Sequence, residues 1–410
     1  MMAVGETRFP VMPVIEGLRL GTAMAGIQRA ERRDLVVIEM PEGAAVAGAF
    51  TRNAFCAAPV TVAREHLDAC QADGQGVRYL VINTGNANAG TGASGLEDAR
   101  ATCAELAQLA GVDAIRVLPF STGVIGEPLP MQRLLAGLPA ALHTLDDGVD
   151  AWQAAAEGIL TTDTRTKGAS VTLALGEQTV TINGIAKGSG MIRPDMATML
   201  AFVATDAALE PVLLDALLRE AVERSFNCIT VDSDTSTNDA CLLISTGRGA
   251  RVADETELTI FRNGLLRVMT ELAQAIIRDG EGATKFVTLH VDQAQSRREA
   301  LDVAFTVAHS PLVKTALYAS DANWGRILAA VGRAPVEAFD VTRVTIDLGE
   351  VRLVEQGGRA PGYTEEAGST VMAREEIVIR IVLGRGEQSA TVWTSDLSHD
   401  YVTINAEYRS

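Results

Sequence analysis

Residues 187–200 read KGSGMIRPDMATML, a stretch that suits neither a regular helix nor a regular strand. Its glycines and its proline interrupt both kinds of backbone, and the small residues Ala197 and Thr198 stand directly before an apolar run. One interpretation is an ordinary loop that enters a strand over residues 198–205. The other is a strained turn that exposes the Ala197 carbonyl carbon to the Thr198 hydroxyl group.

The strained turn would allow the chain to cut itself between Ala197 and Thr198. Thr198 is β-branched, so its χ1 torsion is restricted and its hydroxyl can be held in line for attack. An N→O acyl shift followed by hydrolysis would leave Thr198 as a new amino terminus. An α-amino group titrates at about 7.7–8.0, against about 10.4 for lysine, so the freed amine can serve as general base for the hydroxyl beside it.

Acyl transfer through Thr198 also requires hydrogen-bond donors for the tetrahedral oxyanion. The stretch STGVIG at residues 121–126 is the candidate: Thr122 offers a hydroxyl and an N–H, and Gly123 lets backbone approach a substrate without a Cβ in the way. The alternative is a simple strand-to-helix turn. Because the new amine supplies the base, no histidine is needed, and we interpret all five as structural: His66, His143, His290, His309 and His399.

The remaining pattern mixes strands and helices without a regular βα alternation. Most neighbouring strands are joined by short connections, and Gly176 and Glu177 suit a tight hairpin, so we expect antiparallel or mixed sheets covered by helices. Strands are predicted at residues 35–40, 45–50, 79–83, 115–119, 170–175, 178–182, 286–291, 344–348, 376–383 and 389–395. Helices are predicted at residues 97–110, 211–226, 258–279 and 297–309. Apart from the cleavage point, no further division of the chain is expected.

Composition narrows the class of protein. The 410 residues carry a net charge of −17, which argues against a nucleic-acid partner, because phosphate binding needs clustered lysine and arginine. The five cysteines are widely spaced and never form a C-x-x-C pair, a usage typical of buried thiols in a reducing compartment. We find no secretory signal and no apolar run of membrane-spanning length, and we expect a soluble cytoplasmic protein without a membrane partner.

Several longer motifs, taken together and in order, resemble the ornithine acetyltransferase (glutamate N-acetyltransferase) family of arginine biosynthesis. The resemblance extends over essentially the whole chain. Its motifs are FCAAPV at 55–60, VINTGNANAGTG at 81–92, LPFSTGVIGEPLP at 118–130, TTDT at 161–164, IAKGSGMIRPDMATML at 185–200, TVDSDTSTND at 230–239, RDGEGATKF at 278–286, SPLVKTA at 310–316 and DLSHDYVTINAEYRS at 396–410.

The resemblance implies a role for each matching residue. Thr198 falls on the nucleophile, so residues 1–197 would form an α chain and residues 198–410 a β chain. Thr122 and Gly123 fall on the oxyanion-stabilising pair. The substrate-binding positions would be Thr161, Lys187, Thr198, Glu281, Asn405 and Ser410. Thr162 is the alternative to Thr161 within TTDT. Lys187 suits the α-carboxylate of the substrate, and Glu281 suits the ornithine ammonium.

The resemblance also implies an activity, a fold and an assembly. The reaction would be ping-pong transfer of acetyl from N2-acetylornithine to glutamate through acetyl-Thr198. No metal or redox cofactor is expected, because acyl-enzyme chemistry needs only a nucleophile, a base and an oxyanion site. The fold would be α/β, a layered α/β/β/α sandwich with mixed sheets, similar to N-terminal-nucleophile hydrolases but distinct in topology. Two self-cleaved precursors would form an α2β2 heterotetramer.

Alternative functions stay open beside this one. The enzyme could also acetylate glutamate from acetyl-CoA, as some family members do. A self-cleaving aminopeptidase would use the same nucleophile but hydrolyse its acyl-enzyme. A non-catalytic small-molecule binding protein would stay uncleaved. A calcium loop in DSDTSTND is disfavoured, because Thr237 stands where the loop requires glycine and Leu243 where it requires glutamate.

Overall fold

The computed structural model describes residues 3–5, 8–193 and 199–407. Its strands, in chain order, are β1 (Arg19–Ala23), β2 (Leu35–Glu39), β3 (Ala45–Phe50), β4 (Tyr79–Asn86), β5 (Val117–Val124), β6 (Lys167–Leu175), β7 (Gln178–Lys187), β8 (Leu200–Thr205), β9 (Ile229–Thr230), β10 (Ala240–Ser245), β11 (Phe286–Ala294), β12 (Thr345–Leu348), β13 (Val351–Glu355), β14 (Gly358–Arg359), β15 (Glu376–Val382) and β16 (Gln388–Ser395).

The α-helices alternate irregularly with these strands along the chain. They are α1 (Ala58–Asp73), α2 (Gly92–Ala110), α3 (Met131–His143), α4 (Val149–Gly158), α5 (Pro211–Arg224), α6 (Glu255–Arg278), α7 (Arg297–Ala308), α8 (Pro311–Tyr318), α9 (Trp324–Gly332), α10 (Glu365–Met372) and α11 (His399–Ala406). No helix among the described residues is both long and apolar enough to cross a membrane.

Local sequence explains several of these boundaries. Helix α6 begins where the Asp254 carboxylate accepts hydrogen bonds from the backbone N–H groups of Thr256 and Glu257, which would otherwise have no partner. The β6–β7 hairpin turns at Gly176, whose φ of +57° is in the left-handed region that glycine adopts without strain. The turn at Gly176 was predicted from the sequence, and the expected hairpin is present; the Asp254 cap was not predicted.

Two sheets pack face to face. Within the described residues the first has the strand order β1-β2-β4-β5 and the second β3-β10-β8-β7-β6, and both mix parallel and antiparallel pairs. Ile38 and Ile82 of the first sheet share one core with Phe202 and Leu242 of the second. The rings of Phe120 and Phe202 meet edge to face across this interface, with centroids 5.4 Å apart.

Helices cover both outer faces of the sheet pair. Because side chains alternate along a strand, Val37 and Val81 point away from the shared core and pack with Leu106 of α2 and Leu138 of α3. On the far side, α5 and α6 bury their apolar faces against the second sheet. The resulting order of layers is α/β/β/α, and the prediction of an α/β fold with mixed sheets is confirmed.

The C-terminal part contains a third sheet, which packs against helices and so adds a further pair of layers. Within the described residues its strand order is β14-β13-β12-β15-β11-β16-β9, and its core with α7, α9 and α10 is separate from those of the sandwich. The sequence predicted most of its long strands. It did not predict that they form a sheet of their own, because strand pairing is a long-range property.

One local expectation is wrong in extent. A strand was predicted at residues 115–119, but β5 begins at Val117 and continues through Thr122 and Gly123 to Val124. The reason is the neighbouring strand: β4 pairs with β5 in parallel up to Gly85 and Gly123, so the backbone stays extended. The predicted strand at residues 198–205 begins at Leu200 among the described residues.

Candidate active site

A cavity of about 310 Å³ opens where the ends of the two sandwich sheets meet. This volume is at the lower end of the range typical of small-molecule sites, roughly 300–1,000 Å³, and suits a ligand of amino-acid size. The residues that line it come from both sheets, from the loops that connect their strands and helices, and from helix α11: Ala87, Thr122, Gly123, Val124, Ile125, Thr161, Thr162, Lys187, Ser189, Gly190, Met191, Met199, Leu200, Ser236, Thr237, Asn238, Asp239, Glu281 and Asn405.

Thr122 and Gly123 form the wall contributed by the first sheet. Gly123 has a φ of +136°, and a Cβ atom there would lie 2.3 Å from the carbonyl carbon of Gly85, so no other residue fits without backbone movement. The Thr122 side chain is buried and makes no hydrogen bond to any described residue. Its hydroxyl therefore remains available to a group in the cavity.

Asparagine side chains hold this wall in place. Asn238 donates from its amide to the carbonyl oxygens of Ala87, at 2.6 Å, and Ser121, at 2.9 Å, and so ties the loop before β10 to the ends of β4 and β5. Asn86 donates to the carbonyl oxygens of Glu127 and Pro128 on the loop after β5. Buried amides that bond to backbone on two strands fix the relative position of those strands.

Lys187 is the cation of the cavity's opposite wall. It ends β7, pairs in register with Leu200 of β8, and donates from Nζ to the Thr161 hydroxyl at 3.2 Å. Burial lowers the pKa of its ammonium, and the nearby carboxylates of Asp163, Asp239 and Glu281 oppose that shift. An anionic ligand group would therefore find a partly desolvated cation here.

Glu281 joins three segments that are distant in sequence. Its Oε1 accepts from the Thr162 hydroxyl at 2.9 Å and its Oε2 from the Asn405 amide at 2.8 Å. A Cβ at Gly190 would lie 2.4 Å from Oε2, so a larger residue there would displace this carboxylate. Burial raises the pKa of Glu281, and its hydrogen bonds to Asn405 and Thr162 oppose that rise. Each oxygen retains a lone pair for a ligand cation.

A buried ion network supports the loop that carries Thr161 and Thr162. Lys167 Nζ lies 2.5 Å from Asp163 Oδ1 and 2.6 Å from Asp279 Oδ2, and all three side chains are almost fully buried. Asp163 also accepts from the N–H of Gly188 at 2.8 Å and from the N–H of Thr161 at 3.0 Å. Burial alone would raise the pKa of Asp163, but Lys167 and Lys187 outweigh it and hold the pKa well below its ordinary value.

Replacing Asp163 with Asn should strongly destabilise the protein. The change leaves buried Lys167 without one of its two counter-charges, and breaking a buried pair costs about 3–5 kcal/mol of the free energy of unfolding. Urea-induced unfolding of the wild type and of the Asp163→Asn variant measures the loss in the free energy of unfolding. The control is Asp215→Asn, which breaks the exposed pair with Arg219 and should cost under about 1 kcal/mol. Equal losses in the two variants would contradict the structural role given to Asp163.

A residue close in sequence to the predicted cleavage point lines the same cavity. Ala197, Thr198 and also Ser410 lie outside the described residues, but Met199, which follows Thr198, lines the cavity. Asp232 fixes the chain on the other side of this segment, because its carboxylate accepts from the N–H groups of Met191, at 2.7 Å, and Ile192, at 2.8 Å. Sequence analysis had weighed Asp232 only as part of a calcium loop.

The structure thus brings together Thr122, Gly123, Thr161, Lys187, Glu281 and Asn405, the described members of the predicted site. Thr161 and Thr162 both line the cavity, with Thr161 bonded to Lys187 and Thr162 to Glu281. No histidine is among the described residues that line it. Sequence reasoning missed Asp163, Lys167, Asp279, Asn238 and Asp239; the motifs TTDT and TVDSDTSTND contained three of these but gave them no role.

This chain is similar to known proteins of one family over nearly its whole length. The model of the ArgJ family matches residues 19–410. The arginine biosynthesis bifunctional protein ArgJ of Pseudomonas syringae pv. tomato is 55% identical over 417 residues, covering 100% of both chains. The protein of the same name from Methylococcus capsulatus is 56% identical and covers 97% of this chain and 96% of its own.

A solved structure of the arginine biosynthesis bifunctional protein argJ from Bacillus halodurans is 37% identical to the matched part. It covers 51% of this chain and 99% of its own, with a TM-score of 0.49. The match to the family model over nearly the whole length and the identity to full-length relatives lead to one conclusion. The chain belongs to the ArgJ family.

Proposed function

We propose that this chain is a self-processing acetyltransferase that moves acetyl from N2-acetylornithine to glutamate through an acetyl ester on Thr198. One observation carries the proposal: six predicted site residues, distant from one another in sequence apart from one adjacent pair, line the same small cavity as Met199. Together they provide oxyanion donors, a cation and a carboxylate. Relatives over 50% identical that are named arginine biosynthesis bifunctional protein support it.

The first reaction is cleavage of the chain's own Ala197–Thr198 bond. The Thr198 hydroxyl oxygen attacks the Ala197 carbonyl carbon, the C–N bond breaks, and the hydroxyl proton ends on the Thr198 nitrogen. Water then hydrolyses the ester, which leaves a carboxylate on Ala197 and restores the Thr198 hydroxyl. The products are an α chain of residues 1–197 and a β chain of residues 198–410.

Acetyl transfer uses the new amino terminus as general base. The neutral Thr198 amine takes the hydroxyl proton while the hydroxyl oxygen attacks the acetyl carbonyl carbon of N2-acetylornithine. The amine then returns that proton to the leaving nitrogen, and ornithine departs. Glutamate's α-amine attacks the acetyl ester in turn, Thr198 leaves as its hydroxyl, and N-acetylglutamate is formed.

The wall formed by Thr122 and Gly123 stabilises both tetrahedral intermediates. The Thr122 hydroxyl and the backbone N–H groups there can donate to the oxyanion without reorganisation, because β4 and Asn238 hold that wall rigidly. On the opposite wall Lys187 binds the α-carboxylate that both substrates share. Thr161 and Asn405 add hydrogen bonds, and Ser410 completes the substrate-binding set.

Replacing Glu281 with Gln should weaken binding of N2-acetylornithine selectively. The carboxylate attracts the side-chain ammonium of that substrate, and losing a charged hydrogen bond of about 1.5–3 kcal/mol raises KM about 10- to 100-fold. The KM for glutamate, which has no such ammonium, should change far less. Steady-state kinetics with each substrate varied in turn measures both. An equal rise in the two constants would contradict this assignment.

Because Glu281 is titratable, the KM of the wild-type enzyme for N2-acetylornithine should depend on pH. Burial raises the pKa of Glu281, so its negative charge is lost as the pH falls through a value above that of an ordinary glutamate. The KM for N2-acetylornithine should therefore rise towards acid pH in the wild type. In the Gln variant, which has no charge to lose, this part of the pH dependence should disappear.

Two measurements test the proposed function itself. A denaturing gel of freshly purified protein should show two fragments in place of one 43.3 kDa chain. The purified protein should form N-acetylglutamate and ornithine from N2-acetylornithine and glutamate. One intact chain with no transfer would favour a binding protein, and release of free acetate without N-acetylglutamate would favour an aminopeptidase-like hydrolase.

A second candidate activity is the acetylation of glutamate with acetyl-CoA as the acetyl donor. Its support is the word bifunctional in the names of relatives that are 55–56% identical to this chain. Assaying the pure enzyme with acetyl-CoA and glutamate, with N2-acetylornithine omitted, tests it. Formation of N-acetylglutamate is the expected result, and its absence restricts the enzyme to transfer from N2-acetylornithine.

Assembly and location are part of the same proposal. The family resemblance supports an α2β2 heterotetramer built from two cleaved precursors, which light scattering on the purified protein would test. The five free cysteines, four of them buried, support a reducing compartment and hence the cytoplasm.

A further inference from the structure

Glutamate carries a second carboxylate, and the cavity described above offers no further cation to bind it. Lys187 is the one cation among the described residues that line that cavity, and the proposed reaction assigns it to the α-carboxylate that both substrates share. Glu281, which suits the ammonium of the acetyl donor, would repel a carboxylate at the same place. The side-chain carboxylate of glutamate therefore needs a binding group elsewhere.

A second cavity, of about 200 Å³, adjoins the first. Its walls include Arg29 and Arg32, which lie in the segment between β1 and β2 and do not line the first cavity. The residues that line both cavities are Gly123, Val124, Thr161 and Thr162. The end of β5 and the loop after α4 thus form a wall that the two cavities share.

Arg32 contacts this shared wall directly. Its Nη1 donates to the carbonyl oxygen of Thr161 at 3.2 Å, and the hydroxyl of the same threonine accepts from Lys187 Nζ, also at 3.2 Å. Two cations from different segments therefore contact one residue. The two carboxylates of glutamate are separated by only three carbon atoms, so a single molecule can place one carboxylate on each cation.

The two arginines have positive charge available for a ligand. Among the described residues, Arg29 forms no hydrogen bond or ion pair, and Arg32 bonds only to the Thr161 carbonyl oxygen. Burial lowers the pKa of Arg32, Asp163 opposes that shift, and the like charge of Arg29 lowers the pKa further. An anion bound by both guanidinium groups would relieve their mutual repulsion, and a carboxylate matches the fork of donors that a guanidinium presents.

The carboxylates that line the second cavity leave this charge in place. Asp34 accepts from the backbone N–H groups of Ala25 and Ile27, each at 2.6 Å, so the loop itself engages both of its oxygens. Glu407, at the end of α11, is exposed to water, which weakens its field. The pocket therefore presents two guanidinium groups beside the wall that it shares with the first cavity.

We propose that Arg29 and Arg32 bind the side-chain carboxylate of glutamate when it accepts the acetyl group, an inference that rests on the proposed function. Lys187 holds the α-carboxylate, the carbon chain passes Thr161, and the second carboxylate enters the adjoining cavity. Ornithine carries an ammonium at the end of its side chain, which the arginines repel and Glu281 attracts. The two cavities thus distinguish the two amino acids by side-chain charge.

The first test is Arg32→Gln, which removes the charge and keeps a side-chain amide. The KM for glutamate should rise about 10- to 100-fold, the effect of losing one charged hydrogen bond, and the KM for N2-acetylornithine should not rise. Arg32→Lys, which keeps the charge, should recover part of the loss, and Arg29→Gln, at an exposed position, should have a smaller effect. Steady-state kinetics with each substrate varied in turn measures these constants. An unchanged KM for glutamate, or an equal rise in both constants, would overturn the inference.

The second test compares two acceptors. Glutamine has the shape of glutamate without the side-chain charge, so the wild-type kcat/KM should favour glutamate. In Arg32→Gln this preference should fall by at least about 10-fold. If Arg32 only supported the Thr161 loop, the rates with both acceptors would fall alike. An unchanged ratio would therefore overturn the inference.

The control for both tests is Arg33→Gln. Arg33 is the next residue in the chain, but it pairs with Glu157 at 2.6 Å and lines neither cavity. Both constants and the acceptor ratio should stay at their wild-type values. A shift as large as that in Arg32→Gln would overturn the inference, because it would show that any positive charge on this segment suffices. A wild-type protein that transfers no acetyl group would instead refute the proposed function.

Discussion

Thr198→Ala should yield a single uncleaved chain of 43.3 kDa that transfers no acetyl group. In the proposed mechanism the Thr198 hydroxyl attacks the Ala197 carbonyl carbon and later bears the acetyl ester, and the variant lacks it. Without cleavage the residue 198 nitrogen also remains an amide, so the general base is lost together with the nucleophile. Because the two act as a unit, we expect activity to fall by at least about 10⁴-fold. The intact mass of the protein shows whether it is cleaved, and the assay with N2-acetylornithine and glutamate measures acetyl transfer.

Thr198→Ser is the matched control for this substitution. It keeps a hydroxyl on the same backbone position and loses only the methyl group that restricts χ1. We expect slower cleavage and reduced but measurable transfer. Cleavage between residues 197 and 198 that persists in the Ala variant would contradict the nucleophile assignment, and with it the whole proposed mechanism.

Gly123→Ala should lower kcat by about 10²–10³-fold, the loss typical of removing one oxyanion donor. A Cβ atom at this position would lie 2.3 Å from the Gly85 carbonyl carbon and 2.5 Å from the Asn86 nitrogen, so the end of β5 must move away from β4. That movement displaces the donors at Thr122 and Gly123. Self-cleavage passes through a similar tetrahedral oxyanion, so its rate should fall as well.

Gly126→Ala is the control for Gly123→Ala. It tests whether backbone strain alone, without displacement of the oxyanion donors, lowers kcat. Gly126 also has a positive φ, +84°, but no atom lies within 4 Å of a Cβ built there. The control therefore carries only the conformational cost, of the order of 1–3 kcal/mol, on stability. Rates of cleavage and transfer, measured beside thermal unfolding curves, distinguish the two. Equal losses of kcat in both variants would show that strain, and not the oxyanion wall, explains the effect.

Much of the fold was predictable because its signals are local. Short apolar runs identified β2 and β3, alternation identified β11, a two-residue turn identified the β6–β7 hairpin, and helical spacing identified α2, α5, α6 and α7 within a few residues. Hydrophobic side chains repeat with the period of the element they form, so the sequence contains that information directly. The extension of β5 through Gly123 was missed, since it depends on pairing with β4.

Members of the site were also identifiable, but only through long motifs in a fixed order. Thr122, Lys187, Glu281 and Asn405 each have an ordinary local context, and no spacing rule connects them. Their proximity is a tertiary fact: Glu281 bonds to Thr162 and Asn405, which are 119 and 124 residues away in the chain. The third sheet is likewise absent from any local pattern, because β9 reaches β16 only in the folded chain.

The sequence by itself determined many of the elements, the family and the type of chemistry, because periodicity, turn residues and ordered motifs are properties of neighbouring residues. Only the tertiary structure decided which charges face one another. The buried Asp163–Lys167–Asp279 network depends on burial, which removes water as a competing partner. A carboxylate acquires its role from the groups that surround it after folding, and no linear pattern specifies them.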